Sequence, residues 1–187
     1  MGKVISLINT TPDGFVDSQY VIADAEFHEF VHGLLANAYS VAFGKNTFEL
    51  FQQIWPAILE KEGSAASQVK MAKALGGIPK IAYSSKLEST TWSNSSIAEA
   101  INPDQISRKK QDNTKDLLSI GSPGLVAAMT TLNLVDEYYF CIQPVIAGSG
   151  SVRLFDKIGL DARQPLRFVA ATQLKSGVVI LHYQKVG

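Results

Sequence analysis

The sequence predicts an α/β sandwich whose mostly parallel sheet ends in an antiparallel hairpin. Three observations carry that expectation: strand-like apolar runs alternate with helical periodicity along most of the chain, glycine-bearing turns follow three of those strands, and two final strand-like runs flank Lys175-Ser176-Gly177. Strands separated by helical crossovers pair in parallel, whereas a short loop joins antiparallel neighbours.

Val4 to Ile8 is rich in β-branched residues and stops at Thr11-Pro12-Asp13-Gly14, where proline and Asp-Gly mark a turn. Asp24 is placed to cap a helix in which Phe27, Phe30, Val31, Leu34 and Leu35 recur at spacings of three and four. Ser40 to Phe43 reads as a buried strand ending at Gly44. From Asn46 the spacing of Phe48, Phe51, Ile54 and Trp55 is helical until Pro56 perturbs it, and a second periodic stretch, Val69 to Leu75, ends at Gly76-Gly77.

Lys80 to Ser84 is a strand, Lys86 to Ser96 a Ser/Thr-rich loop, and Pro103 to Lys110 a short polar helix. Asp116 to Ile120 is a strand, Gly121 to Gly124 a turn, and Leu125 to Leu134 a helix with Pro123 near its first turn, where a missing N–H costs nothing. Val135 to Ile146 reads as one long strand broken by Gly148-Ser149-Gly150, and Leu166 to Leu174 with Val178 to Lys185 form the closing hairpin. The expectation is a single domain over residues 1–187.

Composition narrows the function. Lys plus Arg equals Asp plus Glu at 17 each, so no net field draws the chain to nucleic acid or to an anionic membrane. No run approaches the ~18 apolar residues of a membrane span, and the single cysteine, Cys141, lies in an apolar strand with no partner for a disulfide. These point to a reducing cytoplasm. His28, His32, His182 and Cys141 make no metal-ligand pattern, so no metal is expected. No Gly-x-Ser-x-Gly elbow supports a serine hydrolase.

The turns at the carboxyl ends of the strands carry the chemistry, since open α/β sheets bind ligands there. Gly44-Lys45-Asn46-Thr47 opens a helix with free backbone N–H groups, a cation and a hydroxyl, all suited to a phosphate. Gly121-Ser122-Pro123-Gly124 repeats the arrangement at a second helix, and two such cradles favour a diphosphate. Neither is a Walker A loop or the Gly-x-Gly-x-x-Gly fingerprint. Ser84-Ser85-Lys86 adds two hydroxyls and a cation past another strand, and alone would be an ordinary solvated loop.

Thr11-Pro12-Asp13-Gly14-Phe15-Val16, Gly44 to Glu49, Gly121 to Val126, and Leu134-Val135-Asp136-Glu137 leading into Gln143 to Gly150 and Leu154-Phe155 occur in an order that identifies a family. The chain resembles, nearly end to end, the dihydrofolate reductase-like proteins related to the reductase domain of the riboflavin-biosynthesis deaminase-reductase. The resemblance implies a three-layer sandwich and NADPH lying across the sheet. Its diphosphate would lie between the turns at Gly44 and Gly121, the second running from Ile120 through Ser122, Pro123 and Gly124 to Leu125 and Val126. Its 2′-phosphate would lie near Lys45, Ser84, Ser85 and Lys86. Asn9, Thr10 and the Asp13-Gly14 loop would flank the nicotinamide. The family often carries arginine where Lys45 stands and a Gly-Gly pair where Ile120-Gly121 stands, which weakens the expectation of NADPH preference and of the backbone such a pair allows.

The leading expectation is therefore an NADPH-dependent reductase of a small pterin-like, pyrimidine-like, carbonyl or imine substrate. A non-catalytic NADP(H)-binding module, a reductase of a phosphoribosylaminouracil as in riboflavin biosynthesis, and a dihydrofolate reductase are the alternatives. Glu26 and His28 are the candidate proton donors on the first helix, with Gln143 a further candidate, and Glu26 fits a solvated surface charge at least as well. A homodimer is implied by the family and by the apolar run Tyr138 to Ile146.

Overall fold

The computed structural model describes residues 1–156 and 158–187. Eight strands form one sheet in the order β4-β3-β2-β5-β1-β6-β8-β7. They are β1 (Val4–Thr10), β2 (Ala38–Gly44), β3 (Lys80–Tyr83), β4 (Ser95–Ala98), β5 (Asp116–Ile120), β6 (Glu137–Ile142), β7 (Leu166–Gln173) and β8 (Val179–Lys185). Neighbours from β4 through β6 pair in parallel, while β6 with β8 and β8 with β7 pair antiparallel. The predicted hairpin is thus present at the sheet edge, and Gly177 turns it at φ +89°.

Among the described residues five α-helices cover the sheet: α1 (Ala25–Ala36), α2 (Lys45–Glu60), α3 (Ala66–Gly77), α4 (Pro103–Asp112) and α5 (Pro123–Thr131). Alternation within β1 explains the layers. Ile5 and Leu7 pack with α1, α2 and α3 on one face, whereas Val4 and Ile8 pack with α4 and α5 on the other. Asp24 caps α1 through the Phe27 N–H at 2.8 Å, as its position predicts.

Four local expectations are corrected. The long strand ends at Ile142 rather than Ile146, because Pro144 has no N–H for a ladder. Ser95 and Ser96, expected to end the loop that begins at Lys86, instead open the edge strand β4; its serines pack little and give no periodic signal. Helix α2 continues through Pro56 to Glu60 at the cost of one backbone bond, held by Phe48, Phe51 and Trp55 against the core. Helix α5 begins at Pro123 and ends at Thr131, earlier than expected at both ends. Strand β6 lies between β1 and β8, so burial inside the sheet accounts for its apolar character.

Candidate functional site

Two cavities open at the carboxyl end of the parallel strands. The larger, about 570 Å³, lies between the N-termini of α2 and α5 and the 151–156 segment. Gly44 through Thr47 and Ser122 through Leu125 line it, so both predicted cradles face one space. The first turn of a helix leaves its N–H groups without intrahelical acceptors. Lys45, Asn46 and Thr47 from α2, with Gly124 and Leu125 from α5, therefore supply donors to this cavity, as a diphosphate requires.

Side chains tie the cradles together. The Gly44 N–H donates to Ser122 Oγ at 3.0 Å, and the Ser122 N–H donates to Thr47 Oγ1 at 3.1 Å. Gly121 and Ser122 have successive positive φ values of +62° and +56°. Glycine adopts that conformation freely; a serine does so at a cost of ~1–2 kcal/mol, offset here by its two hydrogen bonds. An added Cβ at Gly121 would lie 3.3 Å from Thr47 Cγ2. The unusual backbone after β5 therefore lies at Gly121-Ser122, with Ile120 outside the positive-φ pair.

Lys45 lines the cavity with its ammonium 2.7 Å from the Glu49 carboxylate, one helical turn on. A second cation, Arg153, stands on the 151–156 segment with its guanidinium 4.6 Å from the Phe15 ring centre. Arg153 was not singled out from sequence. Its signal was a lone arginine three residues past the Gly148-Ser149-Gly150 turn, recognisable only once the turn is known to return to the site.

The smaller cavity, about 290 Å³, adjoins the first through Val16, Thr47, Ser122 and Pro123. Asn9 stands at its base, Phe27, His28 and Val31 come from α1, and Leu50, Phe51, Ile54 and Trp55 from α2. Helical spacing marks Phe27, Val31, Phe51, Ile54 and Trp55 as core-facing, and the tertiary structure makes them, with Leu50, a pocket wall. His28 is buried, with Nδ1 3.3 Å from Ser67 Oγ and its ring edge-on to Trp55. Burial holds its imidazole below the ordinary histidine range, against the opposing pull of the Asp24 carboxylate. Asn9 Oδ1 accepts from Gln143 Nε2 at 2.9 Å, and Gln143 Oε1 accepts from the Ile22 N–H, so the buried Gln143 is a brace for Asn9 and the segment before α1.

Apart from Ile120 and Gly121, which line the smaller cavity, the remaining predicted residues line neither. The exposed Glu26 carboxylate accepts from the Lys175 N–H in the β7–β8 turn. Ser84 Oγ accepts from the N–H groups of Lys86 and Leu87, shaping the loop that also holds Ser85. Thr10 is buried and donates to the Thr11 carbonyl. Asp13 accepts from the N–H groups of Ala147 and Gly148, and Gly14, at φ +90°, accepts from the Leu154 N–H. Val126 is buried against the sheet and Ile120 lines the smaller cavity. No cluster of metal-ligating side chains occurs among the described residues.

A sheet of this order, with two helix N-termini at its carboxyl end, defines a dihydrofolate reductase-like fold. The chain belongs to the family described as RibD C-terminal domain, which it matches over residues 4–180. It is 23% identical to the uncharacterised protein YyaP of Bacillus subtilis (strain 168) across 97% of this chain and 94% of that protein. The fold is shared with a pyrimidine reductase-like protein from Corynebacterium diphtheriae at TM-score 0.65, 14% identity, and coverage of 100% and 92% of the two chains. It is shared also with the dihydrofolate reductase of Enterococcus faecalis, solved in complex with NADP(H), at TM-score 0.62, 9% identity and coverage of 100% and 98%.

Proposed function

We propose that the chain is an NADPH-dependent reductase of a small carbonyl, imine or heteroaromatic substrate. One observation carries the reading: two helix N-termini, joined by the Gly44–Ser122 hydrogen bond, line a cavity that continues into an apolar pocket. Donors for a diphosphate and an apolar space for a reacting ring stand side by side. The residues present fit the cofactor, because the first turns of α2 and α5 line the larger cavity with backbone N–H groups and Lys45 and Arg153 supply cations for phosphate.

NADPH, when bound, supplies a hydride to the acceptor carbon and leaves as NADP+. The chain's own residues position and shield. Backbone N–H groups of Lys45 to Thr47 and of Gly124 and Leu125 hold the diphosphate, and Val16 with the α1 and α2 side chains excludes water from the pocket. Asn9, with Oδ1 occupied by Gln143, keeps its Nδ2 as a donor to a substrate or carboxamide oxygen. His28, whose imidazole burial keeps below the ordinary histidine range, hydrogen-bonds a substrate oxygen or nitrogen, and the completing proton comes from water. Glu26, engaged at Lys175, is not assigned a proton-transfer role.

The reading includes a cytoplasmic setting and a homodimer. Among the described residues no helix is long and apolar enough to cross a membrane, and β7 exposes Leu166, Phe168 and Val169 at the sheet edge; sedimentation of the purified protein as a monomer at micromolar concentration would count against the dimer. Titration with NADPH and NADH, followed by nicotinamide fluorescence, tests the central reading. Tight NADPH binding supports it, and absence of binding to either cofactor removes the case for redox catalysis. The alternative of a binding module without turnover predicts equal cofactor affinity but no oxidation of NADPH with any acceptor.

A further inference from the structure

The smaller cavity has no charged side chain in its wall among the described residues. Its polar side-chain groups are those of Asn9 and His28, the Trp55 indole N–H, and the hydroxyls of Ser18, Thr47 and Ser122. Among the described residues, Lys45 and Arg153 line the larger cavity instead, and Lys45 is already paired with Glu49. The charged group set against burial at His28 is the Asp24 carboxylate, an anion. Even the rim is apolar, since Leu50 and Ile54 line the cavity while remaining 39% and 42% exposed.

A phosphate or carboxylate moved into such a space loses its hydration and gains no partner charge, so the pocket discriminates against anions. Flat neutral rings meet Phe27, Phe51 and Trp55, and a single oxygen or nitrogen finds Asn9 or His28. We propose that this pocket selects an uncharged aromatic carbonyl or imine compound and rejects phosphorylated and carboxylated ones. The chain would then act on neither a phosphoribosylated pyrimidine nor a folate bearing a glutamate tail. The assignment rests on the reductase reading. For an aldehyde the reaction balances simply: the carbonyl carbon takes the hydride of NADPH and its oxygen a proton from water, yielding an alcohol and NADP+.

The test uses the intact chain with saturating NADPH and follows Trp55 fluorescence during titration with 2-naphthaldehyde and with its 6-carboxylate analogue. The W55F variant identifies the signal. The neutral aldehyde is expected to bind roughly a hundredfold more tightly, with NADPH consumed at matching concentrations. Leu50→Arg, at the half-exposed rim, is expected to narrow that ratio at least ~10-fold by giving the carboxylate a partner. Equal binding of the two aldehydes, tighter binding of the carboxylate, or no binding of either would overturn the assignment while leaving the cofactor reading intact. Failure of the wild-type chain to bind NADPH is a separate result that overturns the reductase reading and this assignment with it.

Discussion

The backbone N–H of Gly44 and the Oγ of Ser122 meet at 3.0 Å although 78 residues separate them. That contact holds the end of β2 beside the start of α5, and Ser122 adopts φ +56° to make it. Ser122→Ala is expected to lose ~1 kcal/mol or more of stability, since alanine keeps the left-handed backbone without the acceptor. Ser122→Gly removes the strain along with the bond and should fall between alanine and wild type. Denaturant midpoints check the order, and NADPH titration should weaken several-fold in both variants.

Gly121→Val is expected to abolish NADPH binding in a protein that still folds. The new side chain would crowd Thr47 and force an unfavourable φ near +62°. Unimpaired NADPH binding by the folded variant would count against the cradle.

Lys45→Ala and Arg153→Ala separate the two cations. Whichever meets the 2′-phosphate should weaken NADPH more than NADH when removed, by ~10-fold or more. Equal losses for both cofactors would place that residue at the shared diphosphate instead.

Asp13 and Asp17 fasten the 11–17 loop to the segment that carries Arg153. Asp17 accepts from the Ser151 N–H at 2.8 Å, and hydrogen bonds from Thr11 and the Gly148 N–H hold the Asp13 carboxyl down to about 2, below its ordinary 3.8. Because the folded value is the lower one, this contribution is present above pH 3.8 and is lost as pH falls from 3.8 toward 2. Gly150 makes the same junction tight: an added Cβ would lie 2.5 Å from Phe15 Cδ1 and 2.6 Å from Asp17 Oδ2. Gly150→Ala is therefore expected to loosen the loops, seen as faster proteolysis in residues 144–156 and weaker NADPH binding.

Lys80 is buried in β3, donating to the carbonyls of Leu75 and Ile78 with its ammonium 4.6 Å from the Trp92 ring centre. Burial brings it down from 10.5 to about 8. Between those values the unfolded chain binds more protons than the folded one, so this group makes stability rise as pH increases from 8 to 10.5. Lys80→Met should remove that slope, as denaturant midpoints across the range would reveal. It should also destabilise the C-terminal end of α3 by ~1–3 kcal/mol, because two buried carbonyls lose their donor.

Periodicity and turn chemistry made much of this chain readable in one dimension. Asp24 before an apolar helix stripe, Pro123 after glycine, and Lys175-Ser176-Gly177 between β-rich runs each act through neighbours a few residues away, and each is found at the expected element. The glycine turns after β2 and β5 could be recognised as cradles because helix N-termini carry their donors wherever they lie.

What the turns do together was a tertiary matter. Glu26 and His28 are two residues apart, yet the helix sends one to the hairpin turn and the other into the pocket. Arg153 reaches the cavity because the 11–17 loop holds its segment through Asp13, Asp17 and a backbone bridge at Phe15, and the serine-rich β4 exists because β3 offers it a ladder. Local sequence determined which backbone segments form and where their unsatisfied groups lie, since those forces act within a few residues. Long-range packing alone decided which side chains share a space, and with it the absence of charge among the described residues of the smaller pocket.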